Sequence, residues 1–175
     1  PFIHRSVVIN AHSNVEANAR NARYEVFESL IQSNECLLLG HHAQDQAETV
    51  LLRLFRGAGV DGLSAMKSLV QRKNFTIIRP FLTIEKNYIL NYAVQAALNW
   101  VEDPSNADSD YNRNFLRNQV IPLLKTRYPG LEKNLLRTAE LCLDSQKNIE
   151  HTLLETYKNC RHNDERFCAA LLQKQ

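Results

Sequence analysis

Residues 40–49 read Gly-His-His-Ala-Gln-Asp-Gln-Ala-Glu-Thr and follow directly on the apolar run Cys36-Leu37-Leu38-Leu39. Two imidazoles, His41 and His42, and two carboxylates, Asp45 and Glu48, thus fall within three turns of chain. These are the side chains that move protons near neutral pH or hold a metal ion. The apolar run predicts a short buried strand, and the acids predict the first turn of a helix. In open α/β sheets, ligands collect where a strand ends and the next helix begins, because that helix start offers N–H groups and partial positive charge. The four side chains are therefore grouped where an anionic ligand or a metal–phosphate can sit.

A second chemical group is basic. Between Tyr111 and Arg137 lie Arg113, Arg117, Lys125, Arg127, Lys133 and Arg137, against the single acid Glu132. An acidic stretch, Glu102, Asp103, Asp108 and Asp110, comes just before. Arg113 and Arg117 are four apart and share a helix face. Their planar forks suit phosphate, but pairing with Glu102, Asp103 or Asp108 would merely fasten the acidic loop to the helix.

The elements that position these groups are legible. Ser13 precedes Glu16 by three, a capping-box pattern, and a helix is predicted to about Gln32, carrying Arg20, Arg23 and Tyr24 side by side. Residues 2–9 and 75–78 predict strands. The helix over 44–56 has Val50, Leu51, Leu54 and Phe55 as its apolar stripe and Gly57 as its stop. Residues 57–66 predict a glycine-rich reversal without phosphate-loop spacing. A further helix is predicted over 84–98, then helices alone from about 112, with Pro122 as a break or kink and Pro129-Gly130 as a boundary. Strand–helix alternation followed by helices implies a partial parallel-sheet, Rossmann-like α/β domain over 1–125, with 126–175 as a helical linker and the start of a second domain.

With 175 residues, 44% apolar content and net charge +2, a real core is possible and bulk charge identifies no partner. The cysteines, Cys36, Cys142, Cys160 and Cys168, form no Cys-x-x-Cys pair, and the residues contain no signal peptide or long apolar span. This predicts free thiols in a reducing cytoplasm and no membrane partner. Cys36, at the start of a strand, is expected in the core.

Four blocks, in order, resemble the tRNA(Ile)-lysidine synthetase family of the N-type ATP-pyrophosphatase (PP-loop) superfamily. Glu16–Tyr24 resembles its Ala-Arg-x-x-Arg-Tyr helix. Gly40–Thr49 resembles Gly-His-His-x-Asp-Asp-x-x-Glu-Thr. Leu52–Met66 is similar to the segment that follows. Glu102-Asp103-Pro104-Ser105-Asn106 with Arg113-Asn114-x-x-Arg117 resembles Glu-Asp-Pro-Ser-Asn followed by Arg-Asn-x-x-Arg. Gln44 stands where the motif usually has its first Asp, while Asp45 keeps the second. The family's Ser-Gly-Gly-x-Asp-Ser nucleotide loop is not among these residues, so a fragment beginning after that loop is expected.

The resemblance implies ATP-dependent ligation of lysine to C2 of the wobble cytidine in a tRNA(Ile) with a CAU anticodon. ATP adenylates the base oxygen, and the lysine amine then displaces AMP. It implies ATP, Mg²⁺ and L-lysine as cofactor and co-substrates. It casts His42, Asp45 and Arg113 as catalytic, with His41, Glu48, Arg20, Arg23, Asn114 and Arg117 binding substrate or phosphate. Asp45 would also face Mg²⁺. A homodimer is left open. The readings that compete are a metal-dependent phosphohydrolase built on the histidines and Asp45, a noncatalytic RNA-binding helical module over 111–137, and a thiolating relative within the superfamily.

Overall fold

A computed structural model describes residues 2–7, 15–104 and 111–160. They fall into two compact units, residues 1–42 with 67–82, and residues 43–66 with 83–175.

The first unit contains helix α1 (Val15–Leu30) and three short strands, β1 (Cys36–Leu38), β2 (Leu69–Gln71) and β3 (Thr76–Ile78). The strand order is β1-β3-β2. β1 pairs parallel with β3, Leu37 opposite Ile77, and the ladder runs on through Leu39 N–H to the Ile78 carbonyl at 2.9 Å. β2 pairs antiparallel with β3, closed by Arg72 N–H on the Phe75 carbonyl. The sheet is thus mixed rather than wholly parallel. The sequence reading missed β2, whose Leu69-Val70-Gln71 is too short to show alternation. Phe75 and Ile77 are the buried anchors of this unit.

Residues 2–7 are exposed and form no strand, contrary to expectation; residues 8–14, with the Ser13 capping box, lie outside the described residues. Cys36 is exposed, not core. A three-residue strand with only its central side chain partly covered buries little on either face.

The second unit is helical: α2 (Ala43–Phe55), α3 (Val60–Leu63), α4 (Lys86–Gln95), α5 (Asn112–Phe115), α6 (Ile121–Arg127) and α7 (Leu131–Cys160). A widened π-helical turn, Leu116–Val120, joins α5 to α6. Pro122 sits in the first turn of α6 and does not break the run, because that position needs no helical donor and the widened turn takes up the register. Pro129-Gly130 separates α6 from α7, as expected.

α2 ends as the sequence predicts. Gly57 adopts φ 73°, open to glycine without cost, and Ala58 N–H caps the Arg53 carbonyl at 3.0 Å. Its buried face was misread. Val50 packs with Ala65 and Ala139, and Leu51 with Leu116 and Ile121. Leu54 and Phe55 are exposed, whereas Asp45, Gln46 and Glu48 are buried with Ala43 and Ala47. The helix turns its acids inward because cations await them there.

Candidate active site

Those cations are Arg113 and Arg117. Arg113 Nε donates to Glu48 Oε2 at 2.7 Å, and its Nη2 donates to Asp45 Oδ1 at 3.0 Å. Arg117 Nε donates to Glu48 Oε1 at 2.6 Å; its Nη2 reaches Asp45 Oδ1 at 3.1 Å and Glu48 Oε2 at 2.9 Å. Two carboxylates and two guanidiniums thus form a closed, charge-neutral cage. Asp45 and Glu48 lie one turn apart on α2; Arg113 comes from α5 and Arg117 from the π-helical turn. The four-residue spacing puts both forks on one side.

Burial is graded through this cage. The Glu48 side chain is fully covered, Asp45 is 12% exposed, and Arg117 and Arg113 are 22% and 26% exposed. A carboxylate removed from water is tolerated only when paired and fully hydrogen-bonded, which Glu48 achieves with both arginines. The hydrogen bond to Glu48 raises the Arg117 guanidinium above the ordinary arginine range; burial opposes this, and the charges of Glu48 and Asp45 add to the rise. The cation is therefore secure at any working pH. Each arginine spends Nε and Nη2 on the carboxylates, and each stays partly open to solvent. The acids act as a jig that aims two partly open guanidiniums.

The other predicted residues fall elsewhere. His41 and His42 follow β1 in the first unit and are half-buried. Asn114 sits between the two arginines in α5, half-buried. Arg20 Nη2 lies 3.4 Å from the Tyr24 hydroxyl. Arg23 instead lines a 400 Å³ hollow with Val7, Ala19, Val26, Phe27 and Leu30. Gln44 lines a separate hollow with Glu85, Lys125 and Glu132. Among the described residues, the ion pairs of Arg113 and Arg117 run to Asp45 and Glu48. Asp108 and Asp110 lie outside the described residues.

The expected basic surface is also broken up. Lys125, Lys133 and Arg137 line a 680 Å³ cavity together with Glu85, Glu132 and Glu140, so its lining is of mixed charge. Two supporting residues escaped the sequence reading. Gln46 makes a reciprocal pair with the Met66 backbone, at 2.8 and 2.9 Å. Arg53 donates to the Gly62 and Ala65 carbonyls. Together they tie the loop after α3 to α2, and nothing in their local sequence announces partners nine to twenty residues away. Among the described residues no three His, Cys, Asp or Glu converge as metal ligands, and no helix is long and apolar enough to cross a membrane.

The chain is 48% identical over 149 residues to the tRNA(Ile)-lysidine synthase of Legionella pneumophila (strain Lens), which covers 85% of this chain and 35% of that protein. It is 45% identical over 166 residues to that of Haemophilus ducreyi, covering 95% of this chain and 39% of the relative. It is 41% identical over 181 residues to that of Actinobacillus pleuropneumoniae serotype 3, covering 100% and 43%. The chain therefore spans roughly two fifths of the length of these relatives. Among solved structures, a U34-tRNA thiolase, NcsA, from Methanococcus maripaludis matches with a TM-score of 0.51 at 22% identity, over 81% of this chain and 47% of that one. That likeness concerns the fold. The PP-loop domain family matches residues 1–124, which include β1, α2 and all four cage residues, and the chain belongs to that family.

Proposed function

We propose that this protein acts in tRNA modification, joining lysine to C2 of the wobble cytidine of a tRNA(Ile) with a CAU anticodon at the expense of ATP. The observation that carries this reading is the 41–48% identity to proteins named tRNA(Ile)-lysidine synthase over 85–100% of the chain. The cage supplies chemistry that fits. Adenylating the cytidine oxygen concentrates negative charge on phosphate, and fixed guanidiniums stabilise such charge without reorganising during the step. In our reading Arg113 and Arg117 contact phosphate through their solvent-facing edges. Asp45 and Glu48 act through them as positioning residues. His42, His41 and Asn114 contribute contacts to base, amine or phosphate, and Arg20 and Arg23 bind phosphate from α1.

Mg²⁺ is expected to arrive with ATP, where it would neutralise phosphate charge. A metal directly on Asp45 fits the donor set poorly, since Asp45 Oδ1 already accepts from two guanidiniums whose charge repels a cation, and no step is routed through it. The division at residue 125, with the helices beyond beginning a tRNA-binding domain, belongs to the same proposal and is supported by the family match ending at 124. Cytoplasmic location and a homodimer accompany it as expectations. The phosphohydrolase reading loses its basis without a converging ligand set among the described residues. The RNA-module reading is less well supported than ligation, since the relatives at 41–48% identity are named as synthases.

The test is direct. The protein as its gene encodes it is incubated with ATP, Mg²⁺, labelled lysine and tRNA(Ile), and the nuclease digest is examined for lysidine. Labelled lysidine that requires ATP is the expected product; its absence from folded, nucleotide-binding protein overturns the proposal.

A further inference from the structure

Arg20 on α1 and Arg72 after β2 are far apart in sequence and meet at one ring in the first unit, that of Tyr24; Arg79, after β3, interacts with the hydroxyl of the same residue. The Arg20 guanidinium lies 5.0 Å from the Tyr24 ring centroid, and that of Arg72 lies 5.3 Å from it. Arg79 is only 5% exposed. Its Nη1 donates to the Lys67 carbonyl at 2.7 Å, while its buried Nε has no hydrogen-bond partner among the described residues. Burial lowers the proton affinity of Arg79, the Tyr24 hydroxyl opposes this, and the charges of Arg20 and Arg72 lower it further. Among the described residues no carboxylate forms an ion pair with any of the three.

Three like charges gathered with no counterion among the described residues are unfavourable. A ring face offsets each by about 0.5–2 kcal/mol at best, and it serves only Arg20 and Arg72. Arg20 and Arg72 are exposed, so an incoming anion can reach their forks. Bidentate guanidinium geometry matches phosphate oxygens.

We propose that Arg20, Arg72 and Arg79, gathered round Tyr24, form a phosphate-binding site, with the two exposed guanidiniums as its grip and buried Arg79 as a fixed positive charge behind them. The phosphate belongs either to the RNA backbone or to a nucleotide. The site stands on this geometry, and only the choice between those sources rests on the function proposed above.

The test uses the whole protein with Arg72→Ala and Arg72→Lys, and with Arg20→Gln as a second route should Arg72→Ala fail to fold. Binding of tRNA is followed by anisotropy between 50 and 200 mM salt, and binding of ATP and of inorganic pyrophosphate by equilibrium titration. Arg72→Ala is expected to weaken one of these ligands by roughly tenfold, and Arg72→Lys to recover part of the loss. Loss of tRNA affinity with a salt slope shallower by about 0.9, ATP unchanged, identifies a backbone phosphate. Loss of ATP and pyrophosphate with tRNA unchanged identifies a nucleotide. Folded variants that bind all three as tightly as the unsubstituted protein overturn the site. If the lysidine assay fails while Arg72→Ala still loses phosphate, the ligation reading falls and the anion site stands.

Discussion

The two units use the same side chain in opposite ways. In the second unit, Arg113 and Arg117 are matched by Asp45 and Glu48, and every buried carboxylate oxygen of Glu48 is satisfied. In the first, Arg20 and Arg72 share a tyrosine ring with Arg79 beside its hydroxyl, and none of the three has a carboxylate partner among the described residues. A balanced cluster fixes geometry, because moving either partner strands a charge. An unbalanced one stores affinity for an anion, because it gains most when one arrives. Arginine content therefore says little about role until the counterions are counted.

Glu48→Gln is expected to break that contrast most sharply. It removes the fully covered charge of the cage and leaves two guanidiniums undercompensated. Losing one partner of a buried pair costs about 3–5 kcal/mol; the partial exposure of both arginines places the expected loss near the lower figure. Urea unfolding at neutral pH measures it, and a loss below about 1 kcal/mol would show that the cage does not organise this unit.

Arg117→Lys comes next and concerns activity. Lysine keeps the charge but cannot hold both Glu48 oxygens and Asp45 at once. Turnover in the lysidine assay should fall by roughly ten- to a hundredfold, the scale of losing one fixed transition-state donor, with much of the fold retained. Asp45→Asn should lower turnover less, since Glu48 still anchors both forks. Equal losses in the two variants would make Asp45 more than a positioning residue.

Much of this was visible in the residues. The β1–α2 junction, the Gly57 stop and the helical second half follow from local apolar runs, a glycine and a proline. The arginine pair was recognised by its four-residue spacing. Its partners were not, because Glu48 and Arg113 are sixty-five residues apart and no local period encodes that distance. The apolar stripe of α2 was misassigned for the same reason. Leu54 and Phe55 continue the pattern, yet the burial of Asp45 and Glu48 is set by cations from another helix. Arg79 read as the residue before a proline that ends a strand. Its surroundings come from residues 67 and 68, whose carbonyls it bonds, and from Tyr24 on α1, which no local pattern places together.

Arg79→Met should have a small effect on stability, and its sign matters. Replacing an uncompensated buried cation by an apolar side chain is often neutral or stabilising. Against this stands the loss of the bond to the Lys67 carbonyl, about 1 kcal/mol. The net change should lie within about 1 kcal/mol of zero, while phosphate binding falls. A loss as large as that of Glu48→Gln would mean that the first unit is also held together by its arginines, and the two clusters would no longer differ in kind.

The smallest expected effect is that of Tyr24→Phe, and it separates ring from hydroxyl. Arg20 reaches the Tyr24 oxygen at a long 3.4 Å in an exposed setting, where a hydrogen bond adds at most about 0.5 kcal/mol. The ring keeps Arg20 and Arg72 over its surroundings and meets Phe27 edge-on at 5.9 Å. Phenylalanine retains all of that and gives up, besides the Arg20 contact, only the hydroxyl's support of Arg79, so melting temperature and phosphate affinity should move little. Tyr24→Leu removes the quadrupole as well as the edge contact, and should cost about 1 kcal/mol or more and scatter the exposed forks. If Tyr24→Phe proves as damaging as Tyr24→Leu, the hydroxyl organises the three arginines. The unbalanced cluster would then be a hydrogen-bonded construction like its balanced counterpart, held by a phenol in place of carboxylates.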